Sequence, residues 1–511
     1  MAVVRPDPRD EIDDDTRSSD GVGEELIGTS EHVTIVAEAP DTEEMYAESA
    51  ADRPGWHVRL FGSHEFFRLW LVQVVSSLGD WLGFSAIILL AANIGGGAGA
   101  GAISLVMAAR IIPGFFFGPL AGVLVDRWDR KKVMVRCDIG RAAVLATLPF
   151  VNNVAGLVVA SLALEVLTLL WSPAKDSEVP NLVPHDHLTT ANSLSLAAAY
   201  GTFPFASLLF ALLAGVSAWV GNVPGLAWLE NDQMALAFYV DVCTFLFAAW
   251  MVSRIPFERR ANRADSDDLE AAKGFRATIG ELREGWREIL SNHTVRAVNI
   301  GIATGLIGGG MLIPLGAVFS TDVLDSGAAG YGLFTTALGF GVALGVVGVS
   351  TLQKRLPKRT VFVGALFMAG ASLFCAASSS TLPVAVAFVG LMGVSVGPVY
   401  VLGFVLLQQE VDDELRGRVF SSLNTLVRLC VLISMVAGPL LAALLGKVSS
   451  ALLEEHLDLG AGTIDLPGVR LALWLAALII IGAGFAAMAA LRAGQREVRA
   501  NVSPHPSRGG A

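Results

Sequence analysis

The sequence predicts an all-α membrane protein of twelve transmembrane helices arranged as two six-helix pseudo-repeats. Three observations predict it: apolar runs long enough to cross a bilayer, basic residues confined to alternate loops, and a loop pattern that recurs half a chain later. Of the 511 residues, 53% are hydrophobic and only 16% are charged, with a mean hydropathy of +0.58. Soluble domains carry roughly 25% charged residues.

About 20 apolar residues span the hydrocarbon core as a helix. The first six such runs are Phe66–Asn93, Ala102–Leu124, Val133–Asn152, Val154–Trp171, Ala191–Val216 and Gln233–Ser253. The second six are Val295–Phe319, Gly330–Leu352, Val361–Ala377, Leu382–Leu407, Val419–Leu445 and Leu471–Leu491. Reading Gly95–Gly101 or Trp219–Trp228 differently gives eleven or thirteen. Loops on one side carry Arg127, Arg130, Lys131, Lys132 and Lys175, then Arg254 to Lys273, Lys354 to Arg359, and Arg416 with Arg418. The opposite loops carry only Lys447 and, at a span boundary, Arg470. Basic loops resist translocation, so the bias predicts a multi-pass protein of the cell (inner or plasma) membrane with both termini cytoplasmic and an even number of spans.

The net charge of −11 is concentrated at the start, in Asp10 to Asp15, Glu24-Glu25 and Glu43-Glu44. Residues 1–60 read as a disordered acidic cytoplasmic tail without the marks of a signal peptide. The first half follows over 61–254, a cytoplasmic linker over 255–293, the second half over 294–491 and a cytoplasmic tail over 492–511. The linker contains an amphipathic pattern from Phe275 to Leu290. Cys137, Cys243, Cys375 and Cys430 lie far apart in apolar runs and read as small core residues.

The two halves are related by a parallel repeat. Lys354 to Val361 (KRLPKRTV) follow Asp126 to Val133 (DRWDRKKV) position by position, and Pro184 to Leu194 before the fifth span echo Asp412 to Leu423 before the eleventh.

Four stretches carry a family resemblance: FRLWLVQVVSSLGDW (Phe67–Trp81), ARIIPG (Ala109–Gly114), DRWDRKK within Gly118–Lys132, and DELRGRVF (Asp413–Phe420). Over roughly Phe61 to Leu491 the chain resembles the major facilitator superfamily, and more narrowly its enterobactin-exporter and macrolide-efflux subgroup. That resemblance implies the major facilitator fold and a conformational latch made of Gly122, Asp126, Arg127, Arg130 and Lys131. Asp126 would face the positive amino end of the eleventh span, which begins after Arg418, while Arg127 and Arg130 would pair with acids on adjacent helix ends. Such contacts would bias the state closed on the cytoplasmic side. The alternative is that these basic residues only set topology. Lys354 stands where the first half has Asp126, so the latch is expected to be asymmetric. The fifth span reads YGTFPFAS (Tyr200–Ser207), a departure from the glycine-rich antiporter pattern, and the Gly438-Pro439 pair appears in the eleventh span instead.

Ionisable groups inside spans are costly and usually line an interior cavity. Here they are Asp80, Arg110, Asp138, Arg141, Glu165, Asp241 and Arg428. Asp138 and Arg141 are three residues apart on one helix and can pair. An unpaired carboxyl in apolar surroundings can exchange a proton near neutrality. Asp80 and then Glu165 are the candidates for proton coupling, with Asp138, Arg141 and Arg110 completing a coupling and substrate-cavity set. Pairing of either acid with Arg110 or Arg141 is the rival reading, and Asp241 reads equally as a helix-packing group.

These features point to secondary active, proton-coupled efflux of an amphipathic small molecule (drug, macrolide or siderophore-like) by alternating access. The expected partners are a small-molecule substrate, protons and the lipid bilayer, with no nucleic acid, and the protein is expected to be a monomer. An importer of a nutrient or lipid-like solute, or a non-transporting receptor or scaffold, are the alternatives. No enzyme motif, cofactor site or metal-spaced cluster is present in the sequence, and His185 and His187 around Asp186 read as a solvated turn before a helix.

Overall fold

The computed structural model describes residues 56–96, 99–126, 128–221, 234–257, 287, 292–352, 355–411, 413–453, 456–458 and 463–502. All of them belong to the unit Gly55–Ala511. The acidic tail up to residue 55 and almost all of the linker, including its amphipathic pattern, lie outside the described residues.

The chain enters through a short helix, α1 (Trp56–Phe61), inside what the composition assigns to the tail. Phe61 is buried and packs its ring 4.9 Å from Phe67 and 5.0 Å from Trp70. The first half then runs through α2 (His64–Gly95), α3 (Gly99–Asp126), α4 (Arg130–Thr147), α5 (Val154–Leu182), α6 (Leu188–Gly201), α7 (Phe203–Gly221) and α8 (Ala235–Arg254). The second half comprises α9 (His293–Gly310), α10 (Leu312–Val318), α11 (Gly327–Leu352), α12 (Lys358–Ser378), α13 (Leu382–Glu410), α14 (Asp413–Leu453) and α15 (Gly468–Val502).

Side-chain caps fix several of these helices where they start. Ser63, Asp129, Asn153 and Asn292 accept hydrogen bonds from backbone amides in the first turns of α2, α4, α5 and α9. The fifth span is one run in the sequence but two helices here, α6 and α7, interrupted at Thr202 just before Pro204. Proline removes a backbone donor and clashes with the preceding turn, which accounts for a break at this point. The seventh span is likewise divided at Met311 and ends in a π-helical turn, Phe319–Val323.

Among the described residues, eleven helical runs are long and apolar enough to cross a membrane. The expected third span, α4, falls short because Arg130, Lys131, Lys132, Arg136, Asp138 and Arg141 lie in it. It is nonetheless packed between α5 and α8. With the following 3-10 turn, Leu148–Phe150, it reaches about 30 Å, the thickness of the hydrocarbon core. Its two deepest charges, Asp138 and Arg141, are buried against protein and Arg130 to Lys132 lie in its first turn, so α4 supplies the twelfth crossing. After α14, which extends to Leu453 instead of ending at Leu445, a hairpin pairs β1 (His456–Asp458) with antiparallel β2 (Thr463–Asp465) in the expected last loop.

The arrangement of the apolar cores places the cleft. At the ends of the helices opposite the basic loops, one continuous core joins both halves, from Leu82–Ala92 and Phe210 of the first to Leu312–Phe319, Tyr331 and Phe334 of the second. At the basic end the halves have separate cores: one around Phe66, Val125, Met134 and Val252, the other around Val298, Phe362, Leu406 and Val419. The halves are therefore closed at the far end and parted at the basic end. Two close approaches hold the far end shut. Gly332 of α11 lies against Ala211 of α7, where an added Cβ would stand 2.7 Å from the Ala211 Cβ. The Ser104 hydroxyl of α3 donates to the Val436 carbonyl of α14 at 2.8 Å.

Candidate functional site: an intramembrane charge cluster

The first half brings Asp80, Arg110, Arg141 and Asp241 together around one small cavity, while Asp138 and Glu165 are not in its lining. Asp80, Gly83 and Phe84 of α2, Arg110 of α3, Arg141 of α4, Thr168 of α5, and Asp241 and Phe245 of α8 line it. Its volume is about 10 Å³, room for roughly one water molecule.

Arg141 is the fixed point of the cluster. It is buried, and its guanidinium bonds the carboxylate of Asp138 three residues earlier on α4. Its charge is also covered by rings, with Phe245 centred 4.2 Å and Trp171 5.1 Å from its Cζ. Trp171 Nε1 donates to the other Asp138 oxygen at 3.3 Å. Asp138 is fully buried and spends both oxygens on these partners. A second ion pair reaches Asp80, whose Oδ2 is 3.7 Å from Arg141 Nη1.

Asp80 differs from that buried pair. Its side chain is 40% exposed while that of Arg141 is 2% exposed, so it is the member of the pair that reaches solvent. Arg110 is half-buried and stacks over the Phe84 ring at 5.6 Å. Glu165 is half-buried on α5, its Oε1 facing Gly114 of α3, where an added Cβ would stand 3.5 Å away. Asp241 is buried and bonded by Thr244 Oγ1 at 3.0 Å. Arg428 is exposed on α14 of the second half.

The basic end carries the other predicted set. Gly122 lies in the last turns of α3 with open space where a Cβ would be. The Asp126 side chain and Arg127 are outside the described residues. Arg130 pairs with Glu178 at the end of α5, 3.1 Å apart, and Lys131 Nζ donates to the Ile255 carbonyl at 2.8 Å. The first contact is within the first half, and the second joins it to the residue that follows α8. The second half has a related pair: Arg359, at the start of α12, meets Glu410, at the end of α13, at 3.3 Å. Lys354 lies outside the described residues. His185 and His187 form the 3-10 turn before α6.

The sequence profile of the Major Facilitator Superfamily matches residues 69–435. The chain belongs to the major facilitator superfamily. Relatives of this facilitator include an uncharacterized transporter of the same type from Mycobacterium tuberculosis, 28% identical over 77% of this chain and 86% of the relative. Macrolide efflux protein A of Streptococcus pyogenes is 26% identical over 75% of this chain and 90% of its own length. In fold, the facilitator is similar to a bacterial homolog of the human lysosomal transporter Spinster, with a TM-score of 0.63 at 15% identity, covering 85% of this chain and 98% of that one. The relatives and fold are those of membrane transporters, so this facilitator is a multi-pass transporter and not an enzyme.

Several members of the facilitator's charge cluster had no local signal. Trp171 and Phe245 are distant in sequence from Arg141 and look like any apolar-span aromatic. Asp241 stood out as an intramembrane charge, but the glycines that receive it, Gly79 and Gly83, belong to a chain containing 54 glycines.

Proposed function

We propose that the chain is a proton-coupled exporter of amphipathic small molecules in the cell membrane, working as a monomer with both termini in the cytoplasm. The observation that carries this reading is Asp80: a carboxylate 40% exposed, on the rim of a cluster in which Asp138, Arg141 and Asp241 are buried. A group in that position can exchange protons with the cleft and feel the charge of Arg141 at the same time. On this reading Asp80 is the coupling carboxyl and Glu165 the second. Asp138 holds Arg141 in place, and Arg110 balances charge on the cavity wall.

Direction is supported by the relative that bears the name macrolide efflux protein and by the cleft parted at the basic end. Basic loops retained in the cytoplasm put that opening on the cytoplasmic side, where an exporter loads. Residues 61–254 and 294–491 are then the two rocking halves, and Gly122, Asp126, Arg127, Arg130 and Lys131 form the latch that closes the loading side. With that side open, Arg130 bonds within its own half and Lys131 bonds the residue that follows α8.

The test is uptake of lipophilic cations and macrolides into inverted membrane vesicles with an imposed pH gradient. Wild type is expected to accumulate a probe in a gradient-dependent way, and Asp80→Asn to lose that dependence. Gradient-dependent uptake unchanged in Asp80→Asn would remove Asp80 from the coupling role. Absence of such uptake in wild type would count against proton-driven export itself.

A further inference from the structure

Asp241 has no place in the coupling scheme above, yet its surroundings are the most restrictive in the cluster. It sits on α8, 1% exposed. Its carboxyl fills a notch on α2 left by two glycines one turn apart: a methyl group at Gly79 would run into Asp241 Oδ1 and Thr244 Oγ1, and one at Gly83 into Asp241 Oδ2. Oδ1 accepts from Thr244 Oγ1 at 3.0 Å. Oδ2 has no hydrogen-bond donor among the described residues, and no Lys or Arg nitrogen among them forms an ion pair with either oxygen.

The charged groups turned toward it from the packed helices are Asp80 on α2, Arg110 on α3 and Arg141 on α4. Arg141 is already committed to Asp138, with Asp80 as its second partner. The α7 helix and the Leu148–Phe150 turn, which also pack on α8, carry no titratable side chain. An ionised carboxylate buried this way, with one hydroxyl donor and no cation in contact, carries a heavy desolvation penalty. A protonated one does not, and its hydroxyl on Oδ2 could donate to a single water in the small cavity it shares with Asp80.

We propose that Asp241 is a further proton-binding carboxyl, loaded when α2 is seated on α8 and releasing its proton when that seam opens. The glycine notch links the two events. While Gly79 and Gly83 press on the carboxyl, the small cavity leaves room for roughly one water and no guanidinium pairs with the anion. Moving α2 away admits one or both. Proton occupancy of Asp241 and the position of α2 thus bias each other. The inference deepens the proton-coupled reading and rests on it for its role in transport, but the proton site itself stands or falls separately.

Infrared titration of the purified full-length protein in lipid tests it. Wild type is expected to show a protonated-carboxyl carbonyl band that shifts in heavy water. That band should be absent from Asp241→Asn and retained in Asp80→Asn. Thr244→Val, which removes the donor to Oδ1 and leaves the carboxyl in place, should move the band without abolishing it, and it serves in place of Asp241→Asn should that variant not fold. In vesicles, Asp241→Asn should keep substrate–substrate exchange while losing gradient-driven accumulation. A wild-type band that survives intact in Asp241→Asn, or does not respond to Thr244→Val, would overturn the proposal. So would the absence of any such band in wild type. If wild type shows no gradient-driven uptake but the band maps to Asp241, the coupling reading fails and the proton site remains.

Discussion

Arg141 shows how a charge is made tolerable inside a membrane protein. Its guanidinium is covered by Asp138, Phe245 and Trp171, and only its contact to Asp80 leads outward. Removing the arginine leaves Asp138 buried without a cation, and breaking a buried pair from one side costs about 3–5 kcal/mol. Arg141→Met should therefore lower the thermal midpoint in detergent strongly, and Asp138→Leu combined with Arg141→Met should recover most of the loss. If the double variant is as unstable as the single one, the penalty is lost packing and not an orphaned charge. The Asp138–Arg141 pairing was legible in the sequence because its spacing puts both residues on one helix face. The role of Trp171 was not, since a ring 33 residues from Asp138 becomes a partner only when α5 packs on α4. Asp80 as a carboxyl without a local partner was also readable. That Arg141 reaches it from another helix was left open as a rival, and the structure brings the two within 3.7 Å.

At the scale of the element, α6 is the least enclosed piece of the first half. Leu196 and Tyr200 are exposed on it. Three side chains of α2 fasten it: Trp70 Nε1 donates to the Leu194 carbonyl at 2.8 Å, Gln73 Nε2 to Ser195 at 3.0 Å and Trp81 Nε1 to Ala199 at 2.8 Å. Any movement of α2 is therefore passed to α6. Trp81→Phe keeps most of the packing but removes one donor, worth about 0.5–1.5 kcal/mol. Amide exchange across Leu188–Gly201 should accelerate accordingly while α7 is unaffected, and equal acceleration in both helices would show that the bond is not a local fastening. The two basic-end pairs differ in the same spirit. Arg130 and Glu178 are 19% and 6% exposed, Arg359 and Glu410 38% and 33%. Double-mutant cycles on thermal stability should give the larger coupling for the first pair, and about 0.2–1 kcal/mol for the second. The sequence showed that Lys354 replaces Asp126 and thereby predicted asymmetry. It did not show that each half keeps an ion pair between its third and fourth spans, because Glu178 and Glu410 do not occupy equivalent positions in the aligned repeat. The span count was legible throughout, α4 included, although its charges hide it from a strict hydropathy criterion; Asp138 and Arg141 are accepted there because neighbouring helices cover them.

For the whole molecule, the repeat, the two-half division and the membrane class were all readable from loop charges and apolar run lengths. Which end is closed was not. That property is set by contacts such as Gly332 with Ala211 and Ser104 with Val436, which join residues far apart in the chain and follow no period. Gly332→Val places atoms where Ala211 already stands, so it should part the far end. A cysteine at Ser104 should then react faster with an impermeant maleimide added from the side opposite the basic loops, and an unchanged rate would mean that α7 and α11 can separate without opening the path. The shared far-end core has one more consequence. The halves share a hydrophobic interface whose described residues all lie outside the peptide between Phe257 and Asn292 that joins them. Cutting the chain there, or expressing the two pieces as separate polypeptides in one cell, should still yield an assembled protein, held as a heterodimer by the same contacts that now close one side of the barrier.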